Sequence, residues 1–330
     1  MKHITTTALT ALTIASAPLA ATAQDFPRRT IELIFPWGPG AAMAGSQILA
    51  EAMADELGVS MPVISTPGAA GTKAFMIAMN KPADGYTIID GYVAPLVLQP
   101  VLGNADWTYD DFIPLHAASS NAFAIGTAAG NDRWADFEEM MAYCAANPGE
   151  LRYSTGSRNN LPHMVIAKAL QGYNCVAQNI PYTANGDAMS DLKNGVLDFG
   201  FINVGEFQQN GDDYDIKLVL SELPASAEQF GNAPSIADLD IDLGLSGLAP
   251  MGWNWWLVHK DTPQERVDVL RAAMKAATED PEVQQKAAAL GFTFLEWDYD
   301  QYEEIVGPVA GQLEAMGDAL KWEEEQLSKL

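Results

Sequence analysis

Short apolar segments alternate with stretches of helical periodicity along the first third of the chain. The apolar segments cover residues 31–35, 62–65 and 86–90, and loops rich in Pro and Gly follow the first two. The first stretch between them places Ile48, Leu49, Ala52, Met53 and Leu57 on one helix face, and the second predicts a helix that contains Phe75, Ile77, Ala78 and Met79. This alternation predicts a parallel sheet with its loops gathered at the carboxyl ends of the strands.

The middle of the chain repeats the pattern. Predicted strands cover residues 123–126, 151–154, 176–181 and 196–202, and predicted helices cover 134–146, 162–170 and 187–194. Two α/β units joined by short segments predict two lobes with a cleft between them.

Helical signals dominate the last part of the chain. Thr262 is the predicted N-cap of a helix with Pro263 at its first position and Glu265 at its third. The acidic run at residues 323–325 is interpreted as a solvated helix face. Trp253, Trp255 and Trp256 are expected to pack a hinge strand, although a place at the cleft mouth is an alternative.

The N-terminus has the features of a secretory signal. Lys2 and His3 precede an apolar stretch at residues 8–20, and Ala21-Thr22-Ala23 supplies small residues before a cleavage point at Gln24. The stretch is shorter than the span of about 20 apolar residues that crosses a bilayer. We therefore expect residues 1–23 to be removed and the mature protein to be periplasmic, with a retained anchor as the alternative.

Composition excludes some functions. The chain has 330 residues, 48% of them hydrophobic, and a formal net charge of −25. Nucleic-acid binding is not expected, because it requires basic patches. Since the acidic residues are scattered, they indicate a solvated surface instead of a cation site. A bound anion would have to be held by local dipoles against the repulsion of this net negative charge.

The chain contains two cysteines, Cys144 and Cys175. In an oxidising compartment such a pair suggests a disulfide. Two buried free thiols are an equal alternative, because sequence spacing does not reveal the distance between the two Cα atoms.

No catalytic or metal-binding motif is present. His116, His163 and His259 lack metal-ligand spacing, and neither HExxH nor G-x-S-x-G occurs. Gly38-Pro39-Gly40 begins like a dinucleotide-binding motif, but Met43 stands where the third glycine belongs. We therefore expect no catalytic residues, no metal and no cofactor, and we assign His163 a structural hydrogen-bonding role.

Three loops of small residues stand at predicted strand-to-helix junctions. They cover residues 36–43, 67–72 and 154–160, and Arg158 is their one bulky charged residue. The first N–H groups of a helix have no partner within it, so such junctions can hold a carboxylate. Tight turns alone would explain one such loop, whereas three across two lobes favour a binding cleft.

Several segments resemble the Bug-type receptors, the substrate-binding proteins of tripartite tricarboxylate transporters. The segments are the strand and loop at residues 31–40, Pro67-Gly68-Ala69-Ala70-Gly71, Ala83-Asp84-Gly85-Tyr86-Thr87, Ala146-Asn147-Pro148-Gly149, Ser154-Thr155-Gly156-Ser157 with His163, and Pro181-Tyr182-Thr183 with Asp191-Leu192 and Gly195-Val196. Together they cover essentially the whole mature chain in the order of that family.

The resemblance implies a type II-like, two-lobe periplasmic binding protein that closes on its ligand. We place the first lobe at residues 24–123 and 246–330, and the second at 124–245. The implied ligand is a small di- or tricarboxylate or aromatic acid, delivered by a monomer to two integral membrane subunits. The ligand-binding residues implied by matched position are Trp37, Gly40, Ala41, Ala70, Gly71, Thr155, Gly156, Ser157, Asn160, Tyr182, Thr183 and Asn203.

Two positions depart from the family pattern. Ala44 stands where many members have an Asp, and Thr183 stands where they have a Lys. An Asp in the first loop could pair with a ligand amine, so Ala44 argues against amino-acid ligands. A receptor for a membrane signalling protein and, with less support, a periplasmic hydrolase are the alternative functions.

Overall fold

The computed structural model describes residues 26–120, 122–244 and 252–330. The strands are β1 (Glu32–Phe35), β2 (Val63–Ser65), β3 (Thr87–Tyr92), β4 (Phe112–Ser120), β5 (Phe123–Ala128), β6 (Arg152–Ser154), β7 (Gln178–Asn179), β8 (Phe199–Asn203), β9 (Tyr214–Val219), β10 (Trp253–His259) and β11 (Thr293–Phe294). The α-helices are α1 (Ala41–Leu57), α2 (Thr72–Met79), α3 (Gln99–Val101), α4 (Phe137–Ala146), α5 (Leu161–Gly172), α6 (Asn185–Lys193), α7 (Val204–Asn210), α8 (Pro224–Gln229), α9 (Gln264–Glu279), α10 (Pro281–Ala288) and α11 (Tyr302–Leu327). The predicted signal peptide, the cleavage point at Gln24 and the lobe boundary near residue 246 lie outside the described residues.

The strands form two mixed sheets. In the six-stranded sheet, with the order β11-β4-β10-β3-β1-β2, β1 is parallel to β2 and β3, whereas β10 is antiparallel to β3 and β4. In the five-stranded sheet, with the order β7-β6-β8-β5-β9, β6 is parallel to its neighbours and β5 is antiparallel to β8 and β9. The α/β class is confirmed, but parallel pairing holds only for strands joined through a helix. β5 and β10 each follow a crossing from one sheet to the other.

The lobe limits remain a prediction, and they can be compared with the residue ranges that supply the strands of each sheet. Strands of the six-stranded sheet come from residues 32–120 and 253–294, and those of the five-stranded sheet come from residues 123–219.

Amphipathic helices cover the six-stranded sheet. Leu49 and Met53 of α1 share a buried cluster with Leu270 and Met274 of α9. Each such side chain contributes about 1.5–3 kcal/mol through burial. The cap predicted for α9 is wrong by one position: Pro263 is the N-cap residue, and the Thr262 hydroxyl is buried without a hydrogen-bond partner. Pro263 has an extended backbone there, which places Thr262 before the helix.

The C-terminal helix α11 packs against α5, whose neighbouring strands belong to the five-stranded sheet. Near its start, the Tyr302 ring lies edge-on to Trp255, with centroids 5.1 Å apart. Near its end, Glu323 is 6% exposed, whereas Glu324 and Glu325 are exposed. The interpretation of residues 323–325 as a solvated face is therefore wrong for Glu323, because α5 and β6 cover that side of the helix.

Cys144 of α4 and Cys175, which precedes β7, form a disulfide that spans 31 positions. Both residues are fully buried. Within the ranges that the structure describes, no helix has both the length and the apolar character needed to cross a membrane.

Candidate functional site

A cavity of about 550 Å³ lies between the two sheets. Its walls come from the starts of α1, α5, α6 and α7, from the loops after β2 and β3, and from β5, β8 and β10. A cavity of this size is typical of small-molecule sites.

Most of the residues predicted for ligand binding line this cavity. They are Trp37, Gly40, Ala41, Thr155, Gly156, Ser157, Asn160, Tyr182, Thr183 and Asn203. Ala70 and Gly71 do not line it, because a 3₁₀ turn at Ala69–Gly71 buries them. A Cβ on Gly71 would lie 2.9 Å from the Pro95 side chain, so this glycine is packed into the core. Pro67, Gly68 and Ala69 line the cavity in their place.

The start of α1 presents open backbone amides to the cavity. Gly40 is its N-cap residue and supplies no side chain, and the first helical hydrogen bond runs from the Ala44 N–H to the Gly40 carbonyl. The N–H groups of residues 41–43 therefore have no acceptor within the helix. Since Gly40, Ala41 and Ala42 line the cavity, a ligand can approach these groups closely.

The start of α6 lies beside that of α1. No side chain caps α6, and Asn185 and Gly186 in its first turn line the cavity. A Cβ on Gly38, just before α1, would be 3.2 Å from the Thr183 carbonyl oxygen, just before α6. Two uncapped helix starts, one following a strand of each sheet, therefore meet at one edge of the cavity, and both present open N–H groups there.

The starts of α5 and α7 differ, because asparagine side chains cap them. The Asn160 Oδ1 accepts the His163 N–H at 2.8 Å, and its Nδ2 donates to the Thr155 carbonyl at 2.6 Å. The Asn203 Oδ1 accepts the Glu206 N–H at 2.8 Å. Asn160 therefore shapes the loop at residues 154–160, and its side chain is already hydrogen-bonded within the protein.

Other polar groups at the cavity are also engaged. The Tyr182 hydroxyl donates to Asp191 at 2.6 Å, and burial and this carboxylate raise the pKa of Tyr182 to about 12. The Thr155 hydroxyl accepts the Asn179 amide at 3.2 Å. The Ser157 Oγ, in contrast, is buried and has no partner among the described residues.

Aromatic rings form much of the remaining wall. Trp37 and Tyr92 meet edge to face with centroids 5.8 Å apart, and Phe123 and Phe201 do so at 5.1 Å. Trp253 also lines the cavity, so the expectation that it only packs a hinge strand is wrong for this residue, whereas Trp255 and Trp256 are core residues. Among the described lining residues Glu206 is charged, and none is Lys, Arg or His.

Sequence reasoning missed several lining residues. Tyr92 and Val93 come directly after a predicted strand, so their position was a usable signal. Phe201 and Glu206 have no such signal in the sequence, because their exposure to the cavity depends on how the two sheets face each other.

The expected structural role of His163 is confirmed. Its Nδ1 accepts the Asn159 N–H at 2.9 Å, and its Nε2 donates to Glu323 at 2.8 Å. Since Nδ1 is the acceptor, the ring proton lies on Nε2 and points to Glu323.

Comparison with known proteins identifies the family. The family model described as the tripartite tricarboxylate transporter family receptor matches residues 46–317. The chain belongs to this family. A relative, the UPF0065 protein of the tcbD-tcbE intergenic region of Pseudomonas sp. (strain P51), is 24% identical over 307 residues, which cover 92% of this chain and 86% of that protein.

Solved structures share the fold of this receptor. The periplasmic binding protein BugD has a TM-score of 0.77 at 21% identity, with 90% of this chain and 99% of BugD covered. MatC from Rhodopseudomonas palustris with bound malate has a TM-score of 0.77 at 16% identity, with 88% and 99% covered. The two-lobe periplasmic binding-protein fold expected from the sequence is thereby confirmed.

Proposed function

We propose that this chain binds a small organic carboxylate outside the cytoplasm and delivers it to the two integral membrane subunits of a tripartite tricarboxylate transporter. In this proposal it acts as a periplasmic monomer that binds its ligand and does not transform it. The observation that carries the proposal is the meeting of the uncapped α1 and α6 starts at one edge of the cavity. Family membership and the malate bound to MatC point to the same ligand class.

Backbone dipoles resolve the conflict between an anionic ligand and a chain with a net charge of −25. N–H groups at helix starts attract an anion locally without adding positive side chains. Because α1 follows a strand of one sheet and α6 follows a strand of the other, a carboxylate between them would hold the sheets together. Ligand binding would then favour the closed form that the membrane subunits recognise.

Thermal unfolding with a panel of acids tests the ligand class. The panel contains mono-, di- and tricarboxylates, including aromatic acids, and each acid is paired with its neutral amide. An acid at one hundred times its Kd should add about 2.7 kcal/mol to the free energy of unfolding. Amides that stabilise the protein as much as their acids would refute the carboxylate proposal.

Substitution at Gly40 tests the place of binding. A Cβ there meets nothing within 4 Å, so both Gly40→Asp and Gly40→Asn can be accommodated. Either side chain caps α1 and occupies its open amides, so both variants should bind the acid more weakly than wild type, and Asp also adds a negative charge at the proposed site. We expect the affinity of Gly40→Asp for the acid to fall at least tenfold below that of wild type and below that of Gly40→Asn. Wild-type affinity in both variants would place the carboxylate elsewhere, and Ser157→Asp then tests the loop at residues 154–160.

Delivery is tested in cells. Deletion of the gene should abolish uptake of the acid, and restoring the gene should recover it. Normal uptake combined with loss of an acid-dependent transcriptional response would instead identify a receptor for a signalling protein.

A further inference from the structure

The helix starts around the cavity provide for a single ligand carboxylate. Asn160 caps α5 and Asn203 caps α7, whereas α1 and α6 have open amides. The start of α2 does not contribute, because its N-cap residue, Gly71, is packed against Pro95. These two starts therefore offer open N–H groups to one carboxylate, and Asp187 in the first turn of α6 is not among the lining residues.

Glu206 makes a second negative charge costly. It lies in the first turn of α7, whose start is already capped by the Asn203 side chain. Its Oε1 accepts the Tyr214 hydroxyl at 2.6 Å and the Asn210 amide at 3.0 Å. These hydrogen bonds hold the carboxylate at the cavity wall, and no cationic side chain among the described lining residues offsets it.

The far part of the cavity is apolar. Phe123 of β5 packs on Phe201 of β8, and a Cβ on Gly252 would lie 3.6 Å from Leu161 and 3.8 Å from Phe123. Gly252 and Phe123 are offset from the open helix starts, because β10 is two strands from β1 and β5 is three strands from β7. At about 4.8 Å per strand, the offset is roughly 10 Å in one sheet and 14 Å in the other.

We propose that the cavity selects a monocarboxylate with an apolar chain or ring and disfavours ligands with a second negative charge. The carboxylate would lie at the starts of α1 and α6, and the apolar body would lie against Phe123, Phe201 and Leu161. A second carboxylate beside Phe123, Phe201 and Leu161 would lose its hydration without gaining a cationic partner among the described lining residues. This inference rests on the proposed carboxylate function.

Titration calorimetry with three six-carbon ligands tests the proposal on the full mature protein. Hexanoate, adipate and 6-aminohexanoate differ only in an apolar, anionic or cationic far end. We expect hexanoate to bind at least tenfold more tightly than adipate, and benzoate to bind at least tenfold more tightly than terephthalate. The Glu206 carboxylate attracts the cationic end of 6-aminohexanoate, so this ligand should bind more tightly than adipate. Adipate that binds as tightly as hexanoate overturns the selectivity while leaving carboxylate binding intact, and adipate that binds as tightly as 6-aminohexanoate overturns the role of charge. Hexanamide that binds as well as hexanoate refutes carboxylate binding itself.

Glu206→Gln tests the source of the discrimination. We expect it to reduce the hexanoate-to-adipate affinity ratio about tenfold, and its melting temperature will show whether it is folded. Glu222→Gln removes the same charge at an exposed position outside the cavity, and it should keep the wild-type ratio. If Glu206→Gln keeps the wild-type ratio, as Glu222→Gln should, Glu206 has no role and the selectivity belongs to the apolar wall alone.

Discussion

The Glu323 carboxylate lies 2.8 Å from the Nε2 of His163, and both side chains are buried. The Tyr153 hydroxyl donates to the same carboxylate. Burial and the Glu323 charge raise the pKa of Tyr153 far above its usual value, so the phenol remains a donor. One carboxylate of the C-terminal helix therefore accepts two hydrogen bonds from the other half of the fold.

These hydrogen bonds extend to the cavity. With its proton on Nε2, His163 offers Nδ1 as an acceptor, and the Asn159 N–H donates to it at 2.9 Å. Asn159 belongs to the loop at residues 154–160, which lines the cavity. Helix α11 thus positions a cavity loop without touching the cavity itself.

Replacing Glu323 should loosen this loop. In Glu323→Gln an amide NH₂ faces either Tyr153 or His163, and the unmatched donors should cost about 1–3 kcal/mol of stability. We also expect weaker binding of hexanoate, or of the tightest acid found by titration. Urea unfolding and titration calorimetry measure the two effects.

Glu324→Gln is the matched control, since Glu324 is the adjacent exposed residue. We expect its stability to lie within about 0.5 kcal/mol of wild type. Equal stability and affinity in the two variants would show that the Glu323 hydrogen bonds do not position the loop.

Glu323 also illustrates a limit of sequence reasoning. Local periodicity predicted the helix, but its burial depends on the approach of α5 and β6, which a run of acidic residues does not reveal. The antiparallel pairing of β10 with β3 and β4, and of β5 with β8, was not predicted for the same reason. Each of these strands pairs with partners that are distant in the sequence. By contrast, strand β1 and helix α1 were predicted from local pattern, since apolar spacing and Pro/Gly loops specify them directly.

The binding site also combines features that local sequence predicts with features that depend on tertiary packing. The loop around Gly40 was predicted because a helix start after a strand is a local feature. In the second loop Ala69 lines the cavity and Ala70 does not. This difference depends on the left-handed backbone of both residues, a conformation that an alanine in the sequence does not predict. Selectivity through Glu206 was unforeseen, because that side chain reaches the cavity only through tertiary packing.

Ala69→Gly should stabilise the protein. Ala69 is exposed and has a φ of 46°, in the left-handed region. This conformation costs an alanine about 1–2 kcal/mol, whereas the extra chain entropy of glycine offsets about 0.5–1 kcal/mol. We expect a net gain of roughly 0.5–1 kcal/mol in urea unfolding. Ala276→Gly, at an exposed position of α9, should lose about 1 kcal/mol, and a loss in both variants would contradict the prediction.

Asp90 should make stability fall as pH rises. This buried carboxyl accepts hydrogen bonds from Ser46 and Asn254, but burial is the larger effect and raises its pKa from 3.8 to about 7. Between these values the folded state binds more protons than the unfolded state, so the free energy of unfolding decreases towards pH 7 and then levels off. Tyr92, two positions away, keeps its proton because burial and Asp90 raise its pKa.

Unfolding at pH 5 and pH 8 isolates this effect. Relative to Asp90→Asn, the free energy of unfolding of the wild type should fall by roughly 2–3 kcal/mol from pH 5 to pH 8. Asp55→Asn, at an exposed position of α1, should keep the wild-type pH dependence. The assignment fails if the pH dependence of Asp90→Asn also matches that of wild type.

Gly205→Ala should hold the two sheets apart. Gly205 starts α7 on the five-stranded side, and a Cβ there would lie 2.6 Å from the Leu290 carbonyl oxygen and 2.9 Å from the Ala41 Cβ on the six-stranded side. Backbone cannot yield as a flexible side chain does, so the halves must separate. If the ligand bridges both halves, hexanoate affinity should fall at least tenfold, because a competent closed form becomes a minor population.

Small-angle scattering and calorimetry distinguish separation from general damage. For Gly205→Ala we expect a larger radius of gyration in the presence of ligand and a melting temperature of the free protein close to wild type. Gly172→Ala is the control, because a Cβ at that position of α5 meets nothing within 4 Å. Wild-type affinity in Gly205→Ala would mean that closure at this contact is not required for binding, and the ligand would then be held mainly by one half of the fold.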